Sequence, residues 1–361
     1  MSILDSYVLK PPTNQNIIDI FKGEWSSKLP AHYKIITEPG SAALFEDARV
    51  VWAEQALGSF KDTTILELGP LEGGHSYMLQ NRNARRIISI EANTRSFLKC
   101  LCVKEVLKLD KVEFMLGDFM DFLSNYNSMN IPDPVSLTEQ AFDRDYYLNT
   151  YTDISAAEID PYFHYMNYGW KEGRNPNKWF DTPYYLRTYS DIKASGIEPF
   201  THYIIAGKKE GRNPAEISRP EIENSKLNTN KFDIVFASGV LYHMDNPIEL
   251  LKLMSEVSDK IFIWTHYYDE SVISGNEILK LKFGQIETKK YGEFTYQYCT
   301  QSYNDALGWE GFCGGPKPTS KWLTKESLLA ALKQFGFHDI QINFEKADHQ
   351  NGPSIAICAK K

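Results

Sequence analysis

The sequence predicts an α/β fold, a doubly wound sheet of seven strands interrupted by a small all-helical insertion. Three observations predict it. Short apolar runs alternate with helical patterns in the outer parts of the chain, residues 142–176 recur at 180–214, and polar, proline-bearing stretches flank that recurrence. The 361 residues, 42% of them hydrophobic, suffice for one large core or two smaller ones.

The runs Ile65–Leu68, Ile87–Ile90, Val112–Leu116, Asp233–Ala237 and Ile261–Trp264 predict five parallel strands. Ile340–Phe344 and Ser354–Ala359 predict two closing strands. Pro247–Val257 is expected as a helix with Leu250, Leu251, Met254 and Val257 on one stripe. Lys325–Phe335 does the same with Leu328, Leu329, Leu332 and Phe335, capped by Thr324 and closed by Gly336. In a doubly wound sheet the ligand sits beyond the carboxyl ends of the strands, at the topological switch.

The middle segments read FDRDYYLNTYTDISAAEIDPYFHYMNYGWKEGRNP and FDTPYYLRTYSDIKASGIEPFTHYIIAGKKEGRNP, identical at 21 of 35 positions. Pro161 and Pro199 suit a first helical turn and Gly169 and Gly207 a helix end, so each unit reads as a small helical hairpin. The flanks NSMNIPDPVSLTEQ and AEISRPEIENSKLNTNK set the expected boundaries. Residues 1–130 and 228–361 form one domain, and 131–227 form an insertion within it. Because the insertion precedes the amino end of the fourth run, it is expected to stand away from the ligand end of the sheet. The charges shared by the units, such as Arg174 and Arg212, read as internal ion pairs. His164 and His202 read as packing residues.

Three strand ends carry chemistry. In ILELGPLEGGHSY, Glu67 ends a strand that enters a turn of Gly69, Gly73 and Gly74, where backbone N–H groups can approach a ligand. In SIEAN, Glu91, with Ala92 and Asn93, stands 22 residues after Gly69, where an acid can accept both ribose hydroxyls of an adenosine. Taken alone it reads better as a solvated strand-end glutamate. In LGDFMDF, Gly117, Asp118 and Phe119 can take an adenine amino group and stack on its ring, and Asp118 can also cap the next helix.

In order and spacing these segments resemble class I S-adenosylmethionine-dependent methyltransferases. ELGPLEGG resembles their first motif, Glu91 their second-strand acid and GDF their adenine-contacting motif. FDIVFASGVLYHMDNP, with Ser238 and Gly239, resembles their fourth strand and the loop after it. Its LYH element is similar to that of tRNA wobble-uridine carboxymethyltransferases and of small-molecule O-methyltransferases. The resemblance implies a seven-stranded Rossmann-like sheet and S-adenosyl-L-methionine as cofactor. One departure is Leu71, where the family usually carries glycine. The same leucine breaks the G-x-G-x-x-G fingerprint of nicotinamide dinucleotide enzymes.

Methyl transfer to oxygen or nitrogen needs in-line alignment and often a base for the acceptor's proton. His243, just past the fourth run, is the first candidate and His266, ending the fifth, the second. Each also reads as a packing histidine. His75, in the first turn after the glycine loop, is placed to line the cofactor but has no acid–base role at this level, and a metal site of the pair His243 and His266 with Asp269 has no specific spacing behind it. GWEGFCGGPKP and the aromatics Trp25, Trp309, Phe312 and Trp322 suggest a lid.

A net charge of −8 and the absence of a basic run argue against a constitutive nucleic-acid binder. No apolar run of about 18 residues spans a bilayer. Five cysteines without C-x-x-C spacing suit reduced thiols in the cytoplasm. The repeats are similar to units in bacterial surface-glycan and glycosyltransferase proteins. The expected activity is therefore methylation of a small molecule, a glycan or glycan precursor, with a protein partner held through the repeats as a further expectation. The alternatives are a tRNA-modifying methyltransferase and a non-catalytic cofactor-sensing scaffold.

Overall fold

The computed structural model describes residues 7–126, 134–157, 159–216, 231–308 and 314–361. The chain forms two compact units, Met1–Asn127 with Lys231–Lys361, and Ser128–Asn230. Among the described residues no helix is long and apolar enough to cross a membrane.

In the first unit, β1 (Trp25–Ser27) and β2 (Pro39–Ala42) form a small parallel pair. The large sheet is built from β3 (Thr64–Leu68), β4 (Arg86–Glu91), β5 (Val112–Leu116), β6 (Ile234–Ser238) and β7 (Lys260–His266), all parallel. A further sheet is antiparallel, β10-β9-β8, made of β8 (Phe283–Tyr291), β9 (Phe294–Ser302) and β10 (Thr319–Leu323). The chain ends on β11 (Asp339–Lys346) and β12 (Ser354–Lys360), and β12 lies antiparallel to both β7 and β11. The large sheet runs β11-β12-β7-β6-β3-β4-β5. From β3 the chain winds outward to β4 and β5, then returns to the other side of β3 as β6 and β7. The switch point lies between β3 and β6.

Alternation along the strands explains the layers, because successive side chains leave opposite faces of the sheet. Leu66, Leu68, Ile88, Ile90, Val235 and Ile263 bury one face beneath Pro247–Val257 and Lys325–Gln334. Ile65, Ile87, Ile234, Phe236 and Phe262 bury the other beneath Ala48–Leu57, Gly74–Asn81 and Thr94–Leu107. Each such side chain contributes roughly 1.5–3 kcal/mol by leaving water.

The β8–β10 sheet was not anticipated from sequence. Part of its signal is there: β9 alternates Phe294, Tyr296 and Tyr298 with polar residues after the turn Tyr291–Phe294, where Gly292 takes φ +58°, whereas β8 is mostly polar and exposed.

In the second unit each repeat holds three helical segments, where a hairpin of two was expected. The first helix, Arg144–Thr150, stops at Tyr151 (φ −115°, ψ 77°) and restarts as Thr152–Ala156. The third, Pro161–His164, runs into a wider π turn, Tyr165–Gly169. Tyr189 makes the same break in the second repeat. Arg174 grips Asp153 with both terminal nitrogens (2.9 and 2.7 Å) and lies 4.9 Å from the Tyr151 ring centroid. Arg212, Asp191 and Tyr189 repeat that arrangement. His164 and His202 each hydrogen-bond a buried tyrosine, Tyr147 and Tyr185, at 3.0 Å. A Cβ at Gly169 or Gly207 would collide with the hydroxyl of that tyrosine. Gly169→Ala should therefore destabilise this unit by about 1–3 kcal/mol, read as a lowered unfolding temperature. An unchanged transition would contradict the packing described.

Candidate active site

A cavity of about 890 Å³ opens at the carboxyl ends of β3, β4, β5, β6 and β7, across the switch point. Gly69, Pro70 and Leu71 line it from the turn after β3, and Glu91, Ala92 and Asn93 from the end of β4. Asp118 and Phe119 follow β5, Ser238 ends β6 with Gly239 and His243 after it, and Trp264 comes from β7.

The turn after β3 is held by its neighbour. Leu71 adopts φ +55°, a left-handed conformation that costs a non-glycine residue roughly 1–2 kcal/mol. Its N–H donates to Glu91 Oε2 at 3.0 Å, and Asn93 N–H donates to Oε1 at 2.9 Å. Both carboxylate oxygens are thus fixed by backbone donors, and each keeps acceptor capacity. Burial raises the Glu91 carboxyl above its ordinary value, opposed by these N–H groups. Gly69, at φ +64°, lies so close to the segment after β6 that a Cβ would meet Val240 Cγ2 at 2.9 Å. Asp118 caps the following helix, accepting from Met120 N–H at 2.7 Å through Oδ1.

Four of the cofactor-binding candidates do not line the cavity. Glu67 is wholly buried, with Oε2 accepting from the hydroxyls of Ser76 and Ser89. Gly73 caps the next helix at φ +76° and packs on Phe114, and Gly74 lets the backbone of Leu44 approach. Gly117 donates to the carbonyl of Glu91 at 2.9 Å and continues the strand ladder. These residues build the turn and do not face the ligand space.

The histidines separate. His243 lines the cavity, and its Nδ1 shares a 2.7 Å hydrogen bond with Tyr303 Oη. Burial pushes its imidazolium down to about 3, with His266 adding to the effect. His266 is a correction. It lies outside the cavity lining, its Nδ1 donates towards the carbonyls of Gly352 (2.9 Å) and Pro353 (3.1 Å), and its ring stacks on Trp322 at 4.9 Å. It is a packed strand-end histidine, and burial holds it down to about 4.

Both rings are neutral in the fold, whereas the unfolded chain binds a proton near pH 6.5. Stability from these groups is complete above that pH and is lost as pH falls towards 4 and 3. For His266 the full loss is roughly 3 kcal/mol. Melting curves between pH 7.5 and 4.5 should show a steep acid decline that His266→Asn makes shallower. Parallel declines in both proteins would contradict this.

Asp47 and Arg49, missed in the sequence, complete the wall together with His75. Asp47 caps the helix Ala48–Leu57 and accepts from both Arg49 and His75 Nε2, the latter at 2.9 Å. Arg49 and His75 line the cavity beside Trp264 and Tyr242. Since a carboxylate only accepts, His75 Nε2 carries the proton of this hydrogen bond. Among the lid candidates, Trp25 and Trp322 are buried, and Trp309 and Phe312 lie outside the described residues. Leu307 and Gly314–Pro318 do line the cavity, and a Cβ at Gly315 would come within 2.6 Å of the His243 carbonyl.

No protein-family model and no curated protein matches the chain. Among solved structures it is similar to the N-terminal domain of EvdMO1 with SAH bound. Identity is 17%, the match covers 88% of this chain and 81% of that one, and the TM-score is 0.44. The same domain in the presence of SAH and D-fucose matches at 17% identity, 89% and 84% coverage and a TM-score of 0.45. An S-adenosylmethionine dependent methyltransferase from Mesorhizobium loti matches at 9% identity, 88% and 100% coverage and a TM-score of 0.42. These likenesses are distant, and the reading of the cavity rests on its own residues.

Proposed function

We propose that this chain transfers a methyl group from S-adenosylmethionine to an oxygen of a small molecule, a glycan or glycan precursor. The observation that carries the reading is the row of groups along one cavity: Asp118 with Phe119, then Glu91, then the Gly69 turn, then His243. The spacing suits an adenosine laid across the switch point, its amino group at Asp118, its ring against Phe119 and its ribose hydroxyls at Glu91. The close approach of Gly69 to Val240 leaves room for backbone, and not for a side chain, beneath the ligand. When bound, the cofactor supplies an activated methyl group open to in-line attack by oxygen.

His243 is the proposed base. With Nδ1–H donated to Tyr303, its Nε2 can accept the acceptor's proton. An acceptor oxygen that has gained a methyl group and still holds its proton is a far stronger acid than any imidazolium, so even a weakly basic histidine receives that proton downhill. His75, oriented by Asp47, is a second candidate, favoured by the hydrogen bond that fixes its tautomer.

In this reading residues 1–130 and 228–361 are the methyltransferase domain and 131–227 a docking or scaffold insertion. Replacing 131–227 by a short glycine-serine linker should leave a soluble protein that binds cofactor and unfolds cooperatively. Aggregation would place the repeats in the catalytic core. Free thiols at Cys100, Cys102, Cys299 and Cys358 support a cytoplasmic setting.

The test is incubation with methyl-labelled S-adenosylmethionine and a fractionated cell extract. Label is expected in the small-molecule fraction. Label confined to RNA would favour the tRNA-modifying alternative, and none in any fraction would favour a cofactor-sensing scaffold.

A further inference from the structure

Arg49 sits in the cavity wall with only 18% of its side chain exposed, its guanidinium 4.4 Å from the centroid of Trp264. A guanidinium has five N–H donors. Asp47 takes one edge: Nε lies 3.0 and 2.9 Å from its two oxygens, and Nη2 lies 2.5 Å from Oδ2. That uses two donors and leaves three, both on Nη1 and one on Nη2, with no partner among the described residues. They form the end-on edge of the fork. This edge matches two oxygens of one oxyanion. The groups that hold it are themselves fixed, Asp47 by capping the helix Ala48–Leu57 and by His75, and Trp264 by its place on β7.

We propose that the free edge of Arg49 is a built site for a carboxylate. The charge of the surroundings selects a single negative charge. Asp47 already offsets much of Arg49, and the next cation in the lining, Lys317, is paired with Asp245 at 3.3 Å. A phosphate dianion would meet the Asp47 carboxylate with too little positive charge to balance it. The neighbours Trp264, Tyr242 and Leu44 offer apolar surface to a ring or carbon chain beside the charged end. The proposal rests on the methyl-transfer reading for the identity of the ligand. Two molecules in that reaction can present a carboxylate here, the amino-acid end of the cofactor and an acidic acceptor such as a uronic acid.

Calorimetric titration of the full chain distinguishes them. In the first arm wild type, Arg49→Gln and Arg49→Lys are titrated with S-adenosylhomocysteine and with 5′-methylthioadenosine, which lacks the carboxylate. In the second arm the same proteins, saturated with S-adenosylhomocysteine, are titrated with glucuronate and glucose. A cofactor site predicts that Arg49→Gln weakens S-adenosylhomocysteine by about 10- to 100-fold and leaves methylthioadenosine unchanged. An acceptor site predicts that wild type prefers glucuronate over glucose by tenfold or more and that Arg49→Gln removes the preference. Arg49→Lys, which keeps the charge and loses the planar fork, should fall between. It also guards against a glutamine variant that does not fold. Folded variants that leave both arms unchanged, with glucuronate bound no better than glucose, overturn the proposal. If wild type binds neither nucleoside, the methyl-transfer reading fails, and the glucuronate arm on unloaded protein decides the carboxylate site alone.

Discussion

His243→Ala should keep its affinity for S-adenosylhomocysteine and lose turnover by about 10²-fold or more, the usual contribution of a positioned base. His243 follows β6 on a short turn, Leu241–His243, at the mouth of the switch point, whereas Glu91 ends β4 and Asp118 follows β5. Removing the imidazole therefore leaves the proposed adenosine contacts intact. The hydrogen bond to Tyr303 adds a second readout. Tyr303→Phe leaves the ring in place and removes the acceptor that favours the proton on Nδ1, so it should lower turnover with little change in cofactor affinity. The pH profile gives a third. Because burial pushes the His243 imidazolium down to about 3, the acid limb of kcat/KM should lie well below pH 6.5, as far as the fold survives. An acid limb abolished in His75→Ala and kept in His243→Ala would transfer the role to the Asp47–His75 pair. Full turnover by His243→Ala would remove His243 from the chemistry.

The sheet was legible in the sequence because its signal is local. Each strand of the large sheet is a short apolar run, and the turn after β3, Glu91 and Asp118 occur in chain order at its ends. The 38-residue recurrence was legible for the same reason. What escaped depends on partners distant in sequence. Arg49 looks like any helical arginine until Asp47, His75 and Trp264 converge on it, and Trp264 lies on β7, far along the chain. His266 and His243 look alike as strand-end histidines. Their difference is set by the carbonyls of Gly352 and Pro353 in one case and by Tyr303, 60 residues on, in the other. Glu67 reads as a ligand because it precedes a glycine turn, but strand alternation sends its side chain to Ser76 and Ser89. Leu71 occupies a position where glycine was expected. The N–H that it donates to Glu91 is one of the contacts that hold its left-handed conformation.

The central claim is that the cavity at the switch point is an adenosyl cofactor site with Glu91 on the ribose. Titration calorimetry of S-adenosylhomocysteine into wild type, Glu91→Gln and Glu91→Ala tests it most directly. Glu91 accepts from Leu71 and Asn93 and keeps capacity for two further hydroxyls. Hydrogen bonds to a charged acceptor contribute about 1.5–3 kcal/mol each, so Glu91→Ala should weaken binding by 10-fold at the least and by about 100-fold or more if both hydroxyls are held. Glu91→Gln, which keeps one acceptor oxygen, should fall between. Thermal melts of the same samples separate loss of the contact from loss of the turn. Wild type that binds S-adenosylhomocysteine, with a folded Glu91→Ala that binds it much more weakly, is the predicted result. Equal affinity in the two folded proteins, or no binding by wild type, would contradict the account.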